Sequence, residues 1–367
     1  MTPCLDMSIL FMKLLIGYHL HVQISWRALT LRRKRPLRVS YGIASESVNL
    51  FVFVQEDEIA GIGEMAPIGY DETQNVPFAI EFLKEHTHKL EKFSPANLLD
   101  IENKCINLEM ISALKSAILN ACYDWLGKKA NLPLWKLLGL KRDMPPTSIT
   151  VGIEEPEAVE ELTKEVFTET PCTFLKLKLG GDGGIEKDKQ RYLSAKKSLT
   201  QEASIRVDAN GGWSLKDAIA MSNWLAENGC EYLEQPLPKE DIIGYEELYK
   251  QRKLPIYLDE CIFNSKDVIK FAHCCDGINI KLLKSGGIPE ALRIVAIARA
   301  LDKKTMIGCF GETSVGISAG ASLGSLFDCI DLDSHLNMNP DPAIGLNYEN
   351  GSLMLSDNPG IGVELTQ

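Results

Sequence analysis

Between residues 173 and 236 the chain carries three short apolar runs, TFLKLKL (173–179), SIRVDAN (204–210) and EYLEQP (231–236), each ending in ionisable or amide side chains. Runs of this length and composition suit buried strands, and the stretches between them have helical spacing. The same unit repeats outward in both directions. SITVGI (148–153) precedes it, and PIYLDE (255–260), GINIKL (277–282), TMIGCF (305–310) and CIDLD (329–333) follow. Eight strands separated by helical crossovers predict a parallel α/β barrel. A doubly wound open sheet is the competing arrangement, but it usually has fewer strands and a Gly-rich phosphate turn. GGDGG (180–184) lacks the GxGxxG pattern and any Lys-Ser/Thr ending, so it reads as a loop.

The first third has another rhythm. YHLHVQISWRALTLRR (18–33) and parts of SVNLFVFVQ (47–55) alternate apolar and polar residues, as antiparallel strands do. EIAGIGEM (58–65) completes a meander, with Gly61 and Gly63 read as bends. Helical patterns then cover 76–94 and 109–127, and LPLWKLLGL (132–140) closes a small α+β unit. The expected division is a first domain over 1–145 and a barrel over 146–339, with the tail 340–367 returning to the first domain.

Composition sets outer bounds. The 367 residues are 45% hydrophobic and 24% charged, which excludes disorder and collagen-like repeats. A formal net charge of −11 argues against nucleic acid and anionic membrane as partners, both being polyanions. The ten cysteines form no CxxC pair, and neither His19-x-His21 nor His86-x-His88 lies near one, so a zinc site is not expected. Reduced thiols in a cytoplasmic protein are the simpler reading. SILFMKLLIG (8–17) is apolar but is broken by Lys13, follows Asp6, and has no basic segment before it or cleavage site after it. The first dozen residues read as an ordered or frayed extension, and no stretch is long enough to span a membrane.

In a parallel barrel the active site lies at the C-terminal ends of the strands. Here nearly every strand ends in an ionisable group: Lys176 and Lys178, Asp208 with Asn210, Glu234, Asp259 with Glu260, Lys281, Glu312, and Asp331 with Asp333. A single charged strand end is often just a solvated rim. A whole ring is harder to explain, because charges facing a barrel mouth are costly unless something pairs with them. Asp208, Glu234 and Asp259 come from adjacent strands and make an oxygen-rich set suited to a hard divalent ion such as Mg2+; salt bridges to the lysines are the plainer alternative. Lys176 and Lys178 share a strand face, and their repulsion is expected to lower the pKa of at least one, making a neutral lysine base accessible. Lys281 falls four strands from Lys178, across the mouth.

With LKLK (175–178), VDANGGW (207–213), EQP (234–236), LDE (258–260), NIKLLK (279–284), GET (311–313) and DLD (331–333) in this order, the chain resembles the enolase superfamily. The resemblance is to its muconate-cycloisomerase-like branch and, within that, the dipeptide epimerases, and it runs from about residue 20 to the C-terminus. It implies a (β/α)7β barrel capped by an α+β domain. It also implies one Mg2+ per subunit on Asp208, Glu234 and Asp259, with Lys178 and Lys281 as paired acid/base catalysts. Lys176, Asn210 and Glu260 would support them, and cap loops near 36–44 and 64–75 would cover the site. The implied reaction moves the α-proton of the C-terminal residue of a dipeptide through an enediolate. Sites of this superfamily run such chemistry with a Lys or His base beside Mg2+. Asp331 and Asp333 resemble the pair that holds a dipeptide α-ammonium, with Gly311 and Glu312 alongside. The expected partner is a small dipeptide, and the subunit is expected to self-associate.

Three alternatives stay open: cycloisomerase or o-succinylbenzoate synthase chemistry, N-acylamino acid racemisation, or an inactive binding relative. Anionic substrates without an ammonium would meet Asp331 and Asp333 unfavourably. Against relatives of this type Cys261 replaces Ser, Gly211 replaces Gln, and Cys309-Phe310-Gly311 is less bulky. In relatives acting on L-Ala-D/L-Glu a cap-loop arginine holds the substrate's distal carboxylate. Aligning RPLRVSYG (35–42) puts Gly42 there, with Arg38 expected to point elsewhere. Together with space at Gly311 and with Asp71 and Glu72 in the second loop, this predicts a preference for non-acidic side chains.

Overall fold

A computed structural model describes residues 22–199 and 203–366. The reading of the N-terminal extension, and His19 and His21, lie outside them. Strands β1 (Val22–Val39), β2 (Gly42–Glu56) and β3 (Ile59–Met65) form an antiparallel sheet in that order. Leu50, Val52 and Val54 are buried on its inner face against the helix Ser112–Ala130. Gly61 and Gly63 are not bends. A Cβ on either would lie 2.0 Å from the carbonyl oxygen of Ala121 or Ala117, so they let this helix approach the strand backbone. The β1–β2 hairpin is longer than the alternation suggests. Its ladder slips between Arg32 and Leu37, spanning Pro36, which has no N–H to donate, and then resumes up to Val39↔Gly42.

The barrel strands are β4 (Ser148–Val151), β5 (Phe174–Lys178), β6 (Ser204–Asp208), β7 (Cys230–Glu234), β8 (Ile256–Leu258), β9 (Gly277–Ile280), β10 (Lys304–Gly308) and β11 (Cys329–Asp331). They pair in sequence order, all parallel, and a parallel bridge from Thr147 to Ile330 joins the last to the first. On β5, Leu175, Leu177 and Leu179 are fully buried in the core, while Lys176 and Lys178 take the alternate face. The main core packs the sheet against its surrounding helices, and a second core fills the cap.

One buried carboxylate fastens cap to barrel, and a second fastens cap to tail. Glu64, on β3, accepts hydrogen bonds from Asn49 Nδ2 at 2.7 Å, Thr313 N at 3.0 Å, Thr313 Oγ1 at 2.7 Å and Gly316 N at 2.9 Å. The last two residues open the helix Ser314–Ala321, whose free N–H groups favour an anion. Asp124, wholly buried, accepts from Ile62 N and from Ile361 N, both at 2.8 Å, and pairs with Lys128 at 2.7 Å. One side chain thereby joins the cap sheet, the long cap helix and the end of the chain.

Candidate active site

The parallel ladder fixes which rim side chains become neighbours. Lys178 pairs in register with Asp208, and Asp208 with Glu234. Each follows an apolar residue that faces the helices, so all three point into the mouth. Asp259 follows directly on β8. One oxygen from each of Asp208, Glu234 and Asp259 lies within 4.8 Å of the others, and all three residues are fully buried.

The lysines are interleaved with these acids. Lys178 Nζ is 2.6 Å from Asp208 Oδ2, and Lys281 Nζ is 2.7 Å from Asp259 Oδ2. Lys176 Nζ reaches Glu234 at 2.7 Å, Asp331 at 2.5 Å and Asp208 at 3.5 Å. The expected repulsion between Lys176 and Lys178 does not lower the pKa of Lys176. Burial disfavours its charge, but Asp331, Glu234 and Asp208 outweigh burial and raise the pKa well above the usual lysine value. Lys281 is raised as well, chiefly by Asp259 acting against burial. Glu234 is pushed up to about 8 by burial and then by Asp208, and Glu260 to about 7 by burial and Asp259.

Asn210 adopts a left-handed φ of 42°, which brings its Nδ2 3.0 Å from Glu260 Oε1 and its backbone N 2.8 Å from Asp208 Oδ1. Three further residues hold the acids in place, and the sequence alone assigns none of them a role. Gln235, also left-handed at φ 39°, accepts from Asp259 N at 2.9 Å through Oε1. Asn279 donates to Glu234 Oε1 at 2.7 Å. Lys284, buried, pairs with Asp259 on the side away from Lys281. All three lie inside the EQP and NIKLLK motifs, and their type, an amide or ammonium beside an acid, is the available signal.

A cavity of about 450 Å3 opens between rim and cap and is lined by Lys178, Lys281, Asn210, Asp331 and Asp333. Asp331 has one oxygen on Lys176, while the other, Oδ1, is buried without a partner. Asp333 accepts from Thr150 N at 2.7 Å, and burial together with Asp331 pushes its pKa up to about 6. Glu312 does not line the cavity. Its carboxylate turns back to Phe310 N at 3.0 Å, and burial, then Glu64, pushes it up to about 8. Gly311 does line it, but the room beside it is taken: a Cβ there would lie 2.5 Å from Nη2 of Arg33.

Aromatics from cap and barrel meet at the chamber, which Tyr41 and Phe310 line. Tyr41, at the hairpin tip, meets Tyr70 edge-on at 5.7 Å between ring centroids, and Tyr70 is 6.1 Å from Phe310. Phe310 in turn lies 4.4 Å from Lys281 Nζ. Ser40 Oγ donates to Asn210 O at 2.7 Å and ties the tip to the rim. Gly42 borders both the cavity and an adjoining hollow, whereas Arg38 lines only that hollow, with Glu154 and Glu155. Asp71 and Glu72 stay outside the cavity; Asp71 binds Thr73 N at 3.0 Å and shapes the turn.

Comparison with known proteins agrees with this architecture. Residues 158–367 match the family described as enolase C-terminal domain-like, and 23–139 match the mandelate racemase / muconate lactonizing enzyme N-terminal domain. A hydrophobic dipeptide epimerase from Roseobacter litoralis is 41% identical over 93% of this chain and 98% of its own length. One from Flavobacteria bacterium MS024-2A is 40% identical over 94% and 99%. The dipeptide epimerase of Enterococcus faecalis V583, solved with Mg and L-Leu-L-Tyr, superposes with a TM-score of 0.88 at 30% identity, covering 93% of this chain and 98% of that one. The chain therefore belongs to the mandelate racemase / muconate lactonizing enzyme family of the enolase superfamily.

Proposed function

We propose that this chain is an Mg2+-dependent dipeptide epimerase that inverts the α-carbon of a dipeptide's C-terminal residue and favours non-acidic side chains there. The observation that carries it is a single cavity bordered by two lysines on strands four apart and by the Asp331–Asp333 pair. The names of the relatives, two of them hydrophobic dipeptide epimerases, support it.

The donor set fits the metal. Asp208, Glu234 and Asp259 offer only carboxylate oxygens within 4.8 Å of one another, the chemistry a hard divalent ion requires. When bound, Mg2+ neutralises charge on the substrate carboxylate and so acidifies the neighbouring C–H. The chain's own residues do the rest. Lys178 and Lys281 take the α-proton from one face and return one to the other, each oriented by its aspartate. Lys176, Lys284, Asn279 and Gln235 keep the carboxylates aligned. Asp331 and Asp333 anchor the α-ammonium, where the unpartnered Asp331 Oδ1 is directly available. Tyr41, Tyr70 and Phe310 exclude water and offer an apolar wall, and Gly42 leaves no cation there for an acidic side chain.

The division into a cap (1–145), a barrel (146–339) and a returning tail (340–367) belongs to the same reading, as does self-association. Cytoplasmic residence does too: nine cysteines among the described residues are unpaired, and no described helix is long and apolar enough to cross a membrane.

The test is proton NMR in D2O. With Mg2+, the α-proton of leucine in L-Ala-L-Leu should wash out while L-Ala-D-Leu accumulates, and excess chelator should stop both. Undiminished exchange in chelator would remove the metal from the mechanism. Exchange of N-acylated amino acids in place of dipeptides would move the assignment to racemisation of that class.

A further inference from the structure

Among the described residues, the proposed dipeptide cavity is lined by Lys178, Lys281 and Arg33, and their surroundings differ. The two lysines each face an aspartate at 2.6 and 2.7 Å. Among the described residues, the one hydrogen-bond partner of the Arg33 side chain is neutral, the carbonyl oxygen of Ala44, to which Nη1 donates at 2.9 Å. Glu46, which also lines the cavity, leans instead toward its register partner Arg32, at 3.9 Å. A guanidinium carries five N–H donors, so most of the recognition capacity of Arg33 is uncommitted. Burial pushes its pKa down, and only Cys309 and Tyr41 act in the other direction; no carboxylate contributes. The guanidinium is partly buried, and a cation that has given up part of its water with no carboxylate beside it is disposed to meet an anionic ligand.

Its location is built. The guanidinium occupies the space that a side chain at position 311 would fill, and Gly311 is what allows it to reach the cavity. The hydrogen bonds of the next residue fix which side of the cavity this is. Glu312 N donates to Ser334 Oγ at 3.1 Å and Ser334 Oγ donates back to Glu312 O at 2.6 Å, and Ser334 directly follows Asp331–Asp333, the pair assigned to the α-ammonium. Acidic and basic groups therefore adjoin at the end of the cavity that receives the substrate's N-terminal residue. Lys281 and Phe310 border the end that receives the C-terminal side chain.

We propose that Arg33 is a specificity-determining residue that pairs with a carboxylate on the side chain of the dipeptide's N-terminal residue, so that the enzyme favours an acidic residue followed by a neutral one. The inference rests on the epimerase reading above and refines its substrate class. Ammonium on Asp331–Asp333 and side-chain carboxylate on Arg33 match the charge order of an N-terminal Asp or Glu. A planar guanidinium suits a bidentate carboxylate contact.

The experiment compares kcat/KM of the Mg2+-loaded enzyme for L-Glu-L-Leu with L-Gln-L-Leu, and for L-Ala-L-Glu with L-Ala-L-Gln. L-Ala-L-Leu serves as the reference. The wild-type ratio for the first pair should be about tenfold or more in favour of the acid, and for the second about one or below. Arg33→Met should bring the first ratio to about one, and Arg33→Lys should retain part of it. A wild-type first ratio near one overturns the proposal even if the variants fail to fold. So does an acidic preference that appears in the second pair instead. Failure to epimerise any of these dipeptides would overturn the parent assignment, and this inference with it.

Discussion

On the barrel side of the cavity, Lys178, Asp208 and Glu234 occupy one hydrogen-bonded row across three strands. On the cap side, Arg33, Tyr41 and Gly42 lie along a hairpin whose register slips between Arg32 and Leu37. The first set is held by a ladder in which each side chain's direction follows from parity. The second depends on a slip, a two-residue turn and contacts to loops far away in sequence. Groups proposed to do chemistry therefore stand on the most constrained part of the molecule. Groups proposed to select the substrate stand where one substitution can redirect a side chain without disturbing a strand.

The sharpest way to break this division is at the rim. Lys178→Ala and Lys281→Ala should each lower epimerisation by about a thousandfold or more. Each should still let one enantiomer of the C-terminal residue exchange its α-proton with D2O through the remaining lysine. Normal exchange of both enantiomers in both variants would show that the rim row is only structural.

The joint between the halves should respond in stability. Glu64→Ala removes the acceptor for Asn49, Thr313 and Gly316 and strands buried donors, so it should cost about 4 kcal/mol in urea denaturation. An unchanged midpoint would mean that cap and barrel do not need this clasp.

Acid provides a third probe. His335 follows Asp333 closely, is buried, and among the described residues has no hydrogen-bond partner for either ring nitrogen. Burial, and then Lys34, lowers its pKa to about 4 from 6.5. Because the unfolded chain takes up the proton first, the contribution is complete above pH 6.5. It drains away as pH falls and levels off below about pH 4, a loss of about 3 kcal/mol. His335→Leu should flatten the dependence of Tm on pH in that window, and an identical slope in the variant would assign the acid sensitivity to the carboxylates.

The smallest effect is expected at the hairpin tip. A side chain at Gly42 meets nothing within 4 Å at its Cβ, so Gly42→Arg should fold normally. It should raise kcat/KM for L-Ala-L-Glu relative to L-Ala-L-Leu by about fivefold. No change would place the C-terminal side chain away from the tip.

The same contrast governs what can be read from the sequence. The barrel and its rim are legible because strand parity and order carry the information: LKLK, VDAN and EQP already place their acids and lysines on one face. The cap is not, because its decisive facts are contacts between distant segments. Nothing in EIAGIGEM indicates that Gly61 and Gly63 accommodate a helix backbone at 121 and 117. Gly311 reads as free space in the sequence, since the arm of Arg33 that fills it comes from the first strand of the cap. Glu312 reads as a ligand group because it follows a strand end, yet its carboxylate folds back onto Phe310 N.

Asp124 has a bearing on how the protein is made. Its two oxygens hold Ile62 and Ile361, so a carboxylate translated before the barrel waits for a partner translated after every barrel strand. Until then this acid lacks one of its three hydrogen-bond partners, and the seam between Leu134 and Gly360 is open. A nascent chain would therefore complete the cap only after every barrel strand had been synthesised. Cap and tail are therefore locked together only after the barrel strands exist, and the protein should melt as one cooperative unit in a calorimeter.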